Sequence, residues 1–451
     1  MHELPQLGKL ERKYRDELTV IGVQTPKYTA EGDIDALKAA VERYAIEHPV
    51  VNDPDYRVWD SYAVKAWPTL VFVSPDGKVI GNHAGEAPFE ALDRIMTEMV
   101  SEYERAAILE RGDPPVLPDA PIRPMSQLAF PGKVLPLEGS VAIADSGHHR
   151  ILVASLEGEV RQVIGSGQPG AQDGERGTAS FNRPQGMAFD GKSTLYVADS
   201  ENHLIRAVDL HSGSVSTIAG TGAQATQRVR RGPAREIALS SPWDLALEDG
   251  RLYIAMAGLH QVWLLELDNQ MLSVWAGTGH EAIRDGPREQ AWLAQPMGLD
   301  LSEGFLSVAC AEAQAVRRVD IATGAVTTLA GRGLFDFGDE DGPAAAATLQ
   351  HCQDVATAGG AIYVADTYNN KIKRIDPVTS EVTTVVGSGQ RGELDGPGDF
   401  ARLFEPAGLA AQDRTLWIAD TNNHLIRTAD IDSLHIRALA LHGEGLDVRG
   451  V

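Results

Sequence analysis

The chain has 451 residues, 63 of them acidic and 40 basic, for a net charge of −23. That length exceeds the roughly 250–300 residues at which a single core stops growing, so at least two domains are expected. The charge, acidic in both parts of the chain, disfavours phosphate backbones and anionic membrane surfaces, and neither nucleic acid nor membrane is an expected partner.

Leu4, Leu7, Leu10, Tyr14 and Leu18 recur at helical spacing, and Thr19 to Val23 follows as a short apolar run that reads as a buried strand. Ile34, Leu37, Val41 and Tyr44 mark a second helix. Thr69 to Val73 reads as a strand, turned at Ser74-Pro75-Asp76-Gly77 into a further strand over 78–82. Phe89, Leu92, Ile95, Met96, Met99 and Tyr103 place a closing helix. The predicted order is α-β-α-(short β)-β-β-α.

That order, with Trp67-Pro68-Thr69 just before the penultimate strand, resembles the thioredoxin fold over roughly residues 1–105. The resemblance implies that Pro68 is cis and that Trp67, Pro68 and Thr69 are what remains of a substrate groove. It also implies a preceding central strand and a two-cysteine loop ending just before His2-Glu3-Leu4-Pro5, so the reading frame is expected to begin upstream. The alternative is a degenerate domain whose strands at 19–23 and 69–73 pair directly. Otherwise each buried, unpaired backbone group would cost about 1–3 kcal/mol. His48, within His48-Pro49-Val50-Val51-Asn52-Asp53, is expected to pack or cap.

Pro114, Pro115, Pro118, Pro121 and Pro124 exclude helix and make residues 111–124 an extended linker between a domain at 1–110 and a second at 125–445. The second domain repeats. Leu195-Tyr196-Val197-Ala198-Asp199 recurs as Ile362 to Asp366 and Leu416 to Asp420. The aligned end positions Asp145, Asp199, Met256, Cys310, Asp366 and Asp420 are spaced by 54, 57, 54, 56 and 54 residues. Six copies of about four strands each indicate a closed six-bladed β-propeller. The long loops repeat Asp-Gly, as at Asp173-Gly174, Asp285-Gly286 and Asp395-Gly396, and open on the face that carries the turns after Asp199 and its equivalents.

Asn202-His203-Leu204-Ile205-Arg206 and Asn423-His424-Leu425-Ile426-Arg427 resemble NHL repeats, whose name is that tripeptide. Long loops on a rigid scaffold are where binding concentrates, so His203, Arg206, His424 and Arg427 are the binding candidates of the propeller face. Asp199, Asp366 and Asp420 are expected to cap backbone N–H groups of turns, and the arginines to pair with acids of neighbouring blades. A metal-binding ring of six histidines is excluded on the reading that copies three and four supply none. Those copies, with Met256-Ala257-Gly258 and Cys310-Ala311-Glu312, suggest a less polar sector for docking.

The combined architecture, a partial α/β thioredoxin-like domain followed by an all-β propeller, resembles the NHL repeat-containing protein 2 family. The resemblance implies a scaffold that binds a protein partner, with thiol–disulfide chemistry if a CxxC lies upstream. Exchange needs a thiolate nucleophile. Cys310 and Cys352 stand in no CxxC, have no zinc spacing, and read as core residues, so no catalytic cysteine, cofactor or metal is expected. Unpaired cysteines, a start without signal features and no bilayer-length apolar run point to the cytoplasm. The alternative is a propeller enzyme of the metal-dependent lyase or lactonase type, which needs carboxylates on the central channel. Gly186-Met187-Ala188-Phe189 and Gly408-Leu409-Ala410-Ala411 of the innermost strands supply few.

Overall fold

Alternating apolar strands of five or six residues, each closed by a turn, build the larger part of the molecule. The computed structural model describes residues 3–112, 126–225 and 229–446. The chain divides into two compact units, Met1–Met125 and Ser126–Val451. The proline-rich segment 113–125 lies outside the described residues.

The first unit runs α1 (Glu3–Lys13), β1 (Gly22–Gln24), α2 (Ile34–Arg43), β2 (Val50–Asn52), α3 (Arg57–Ser61), β3 (Thr69–Val73), β4 (Val79–Ala84) and α4 (Phe89–Arg105). Asp33 starts α2 by accepting the backbone N–H groups of Asp35 and Ala36, the bonds an N-cap aspartate makes. Leu10 and Tyr14 meet Leu92 and Met96 in a small core, with Leu70 and Phe72 of β3 packed against it. The sheet is in two pieces. β1 pairs with β2 in parallel, and β3 pairs with β4 antiparallel. The direct pairing of the strands at 19–23 and 69–73 does not occur. The expected buried strand is also corrected: it shortens to Gly22–Gln24, with Ile21 59% and Val23 42% exposed, and among the described residues it pairs with β2 alone.

The second unit is a six-bladed β-propeller. Its blades are antiparallel sheets whose first strands are Lys133–Leu137, Pro184–Phe189, Pro242–Glu248, Pro296–Ser302, Asp354–Ala358 and Pro406–Gln412. Each first strand packs beside those of its two neighbours, that of blade 6 beside that of blade 1, which closes the ring. In blades 3 to 6 a short fifth strand comes from the loop preceding the blade, as Gly396–Pro397 pairs with His435–Ala438. Blade 1 has no such loop among the described residues. There the end of the chain takes over: Val160 donates to His442 O at 2.8 Å and His442 to Gly158 O at 2.9 Å. Leu441 and Leu446 join Val134, Leu152 and Trp417 in the apolar joint between blades 6 and 1. Among the described residues, no helix is long and apolar enough to cross a membrane.

Candidate functional site

Three places gather polar chemistry: the turn before β3, the joints on the long-loop face of the propeller, and the propeller axis.

The Trp67–Pro68 peptide is cis. Trp67, 44% exposed, packs tilted by 34° against Trp59 with ring centroids 4.3 Å apart and donates its indole N–H to Thr25 O at 3.0 Å. Thr69 Oγ1 donates back to Ala66 O at 2.7 Å. Beneath this turn Asp53 accepts the Thr25 hydroxyl and the backbone N–H groups of Val58 and Trp59, each at 3.0 Å. The turn is thus held from both sides while Trp67 stays partly exposed. His48 packs on Gly22 and its Nδ1 lies 3.1 Å from Glu11 Oε2, so it packs and pairs. Glu3 is buried, and one of its oxygens accepts the Ala87 N–H while the other has no hydrogen-bond partner. Burial pushes its carboxyl up.

On the propeller, Asp199 Oδ1 accepts Asn182 N–H at 2.7 Å, Asp366 Oδ1 accepts Gln350 N–H at 2.6 Å and Asp420 Oδ1 accepts Phe404 N–H at 2.8 Å. These aspartates cap turns. Their second oxygens take Asn202, Asn369 and Asn423, which also donate to Gly170 O, Gly338 O and Gly392 O of the long loops. Arg206 and Arg427 are fully buried. Arg206 bridges Asp199 at 2.7 Å and Asp173 at 2.8 Å, and Arg427 bridges Asp420 at 2.9 Å and Asp395 at 2.5 Å. Each pairs with the aspartate of its own blade and with the Asp-Gly loop leading into it. Both guanidiniums are buried and clasp loop to blade. Burial pushes the Asp199 and Asp420 carboxyls up to about 6 against the pull of these arginines, and Asp366 up to about 7.

His203 and His424 occupy left-handed positions at the ends of their turns. Their Nδ1 atoms accept N–H groups of the next blade, from Ser241 and from Phe130, each at 3.1 Å. The same position holds His149, His260, Gln314 and Asn370, accepting from Arg183, Gln295, His351 and Glu405. Six side-chain acceptors therefore latch six joints around the ring. The reading that copy three lacks a histidine is corrected, since His260 stands there. In copies three and four Ala257, Met297 and Ala311 form a small buried cluster, with the partly buried Trp243 packed against it.

The axis corrects a further expectation. Lys133, Asp244 and Asp354 project from first strands and meet, with Lys133 Nζ 2.8 Å from Asp244 Oδ2 and 2.5 Å from Asp354 Oδ2. Asp300 is nearby and accepts Thr357 N–H at 3.0 Å. The aligned column, alternating charged residue and glycine, carried the signal for three of these four.

An NHL repeat model matches residues 181–207. The chain is 42% identical over 457 residues to protein SUPPRESSOR OF QUENCHING 1, chloroplastic, of Arabidopsis thaliana, covering 96% of this chain and 43% of that protein. It is 37% identical over 487 residues to NHL repeat-containing protein 2 of Gallus gallus, covering 99% of this chain and 67% of the relative. More distantly, it is 24% identical over 97 residues to thiol-disulfide oxidoreductase ResA of Halalkalibacterium halodurans, covering 21% of this chain and 51% of that one. The chain thus spans less than half of the first relative and about two thirds of the second.

Proposed function

The chain belongs to the NHL repeat-containing protein 2 family, and from that membership we propose that it is a protein-binding scaffold. In this reading the propeller offers its loop face to a protein partner. The first unit is a thioredoxin-like domain that takes up one further extended strand between β1 and β3, with Trp67, Pro68 and Thr69 lining the groove beside it.

The observation that carries this reading is the pair of open strand edges. Among the described residues β1 and β3 each pair on one side only, and Val23 and Val73 on them, with Ile21 just before β1, stand more than two-fifths exposed. A strand edge left open recruits another strand through its free N–H and C=O groups. Thiol–disulfide exchange would enter with a cysteine pair on that strand, because Cys310 and Cys352 are fully buried free thiols and burial pushes Cys310 up to about 11. Two such thiols suit a reducing compartment such as the cytoplasm. The reading as a metal-dependent propeller enzyme loses its axial ligands to Lys133, which already holds Asp244 and Asp354.

Hydrogen exchange tests the proposal. The amides of β1 and β3 that do not bond to β2 or β4 should exchange fast in the chain alone, unlike the paired ones such as Gly22, and gain protection when an extended apolar peptide carrying CxxC is added. With dithiothreitol as the electron donor, the mixture should then reduce insulin faster than the peptide alone, and the chain alone should give no turnover above a cysteine-free variant. Slow exchange at the outward-facing amides of both strands without peptide would mean that the sheet is already complete, and the reading fails.

A further inference from the structure

At one register position the six first strands present Lys133, Gly186, Asp244, Gly298, Asp354 and Gly408, so that a charged residue and a glycine alternate around the ring. The position is fixed by pairing, Lys133 facing Ala144, Gly298 facing Ala309, Asp354 facing Ala365 and Gly408 facing Ala419 on the second strands. The glycines are sockets. A Cβ on Gly186 would fall 2.0 Å from Asp244 Oδ1, one on Gly298 2.4 Å from the Asp354 Cα, and one on Gly408 2.8 Å from the Lys133 Cα. Each glycine blade makes room for the charged residue of the next blade.

The three charged side chains are 7%, 3% and 3% exposed, and the lysine Nζ reaches both carboxylates. The carboxylate oxygens that take the ammonium also accept backbone N–H groups, Asp244 Oδ2 from Leu299 at 3.0 Å and Asp354 Oδ2 from Leu409 at 2.6 Å. All six blades therefore touch the cluster, blade 2 through Gly186. The other charged group facing it is Asp300. Two carboxylates buried together repel strongly where no water screens them, and a neighbouring cation is what makes such a burial tolerable. We propose that Lys133 is a tethered counter-ion, an axial charge lock that takes the place of a free cation between Asp244 and Asp354 and holds blades 1, 3 and 5 in one closed ring.

Urea unfolding of the full chain, followed at pH 8 and pH 5, tests the lock with Lys133→Met and with the neutral triple variant Lys133→Met/Asp244→Asn/Asp354→Asn. Removing one partner of a buried ion pair should raise the unfolded-to-folded ratio of Lys133→Met by roughly 10²- to 10³-fold at pH 8. The loss should shrink at pH 5. Without the ammonium, the Asp354 carboxyl, which burial already pushes up, is held higher still, so its cost is present above its folded-state value and recedes as protons discharge it. The triple variant should regain most of the wild-type midpoint and show no such difference between the two pH values. Should Lys133→Met give no folded protein, recovery of folded propeller in the triple variant carries the same support. A Lys133→Met midpoint equal to wild type at pH 8 overturns the lock, as does a triple variant no more stable than Lys133→Met.

Discussion

Replacing His424 by alanine cuts the side-chain latch that joins the last blade to the first. His424 Nδ1 accepts the Phe130 N–H at 3.1 Å, and its ring sits edge-on to Phe130 with centroids 4.4 Å apart. To accept an N–H, Nδ1 must carry no proton, so asparagine, whose Oδ1 does the same work at Asn370 toward Glu405, is the matched replacement. Phe130 is 3% exposed; depriving its amide of that acceptor costs about 1–3 kcal/mol, and losing the ring pair a further ~0.5–1.5 kcal/mol. The alanine variant should therefore lose about 2–4 kcal/mol, and His424→Asn only the smaller, aromatic part. Asparagine also tolerates the left-handed backbone at this position, where φ is 58°. Urea denaturation read by tryptophan fluorescence, with both variants in one buffer, separates the two. Equal midpoints for the alanine and asparagine variants would refute the latch, because backbone and packing would then account for whatever was lost.

Arg206→Met strands the buried Asp199 and should cost about 3–5 kcal/mol in thermal or urea unfolding, far more than Arg161→Met on an exposed strand position. The carboxyls of Asp199, Asp366 and Asp420 are raised to between about 6 and about 7. Their native forms therefore bind protons that the unfolded chain releases, and they favour folding less as pH rises from 5 to 8. Asp366→Asn should flatten that part of the stability–pH curve, measured as midpoint against pH. Gly298→Ala places a methyl 2.4 Å from the Asp354 backbone and should destabilise by about 1–3 kcal/mol or more. Gly81→Ala, with nothing within 4 Å, should leave the thermal midpoint nearly unchanged. Neither Cys310 nor Cys352 should take up iodoacetamide in native buffer, and both should in urea, as read by intact mass.

The propeller was legible because its physics is local and repeated. The aligned strand ends recur every 54 to 57 residues, four of the six as Ala-Asp, with Asp-Gly in most of the long loops, and each copy writes the same four strands. The capping role of Asp199 and its equivalents followed from the turn chemistry of aspartate. The longer helices and the hairpin of the first unit were plain as well, since their periodicities need no knowledge of neighbours, whereas the short helix Arg57–Ser61 was not foreseen and the strand expected at 19–23 shortens to Gly22–Gln24. The sheet of that unit was not plain. Whether β1 and β3 would meet depended on what lies between them, and the short, half-exposed β1 records that nothing in the described residues does.

What the amino-acid sequence determined by itself was the repeat, its blade count and the identity of the turn-capping residues, all set by contacts within one blade. Only the tertiary structure decided that Arg206 and Arg427 face inward, that His260 completes a latch shared with glutamine and asparagine, and that Lys133 meets two aspartates. Those residues lie far apart in sequence; Lys133 and Asp354 are brought to hydrogen-bonding distance because a closed ring carries every first strand to a common axis, where burial in a small volume makes the pairing of charge decisive.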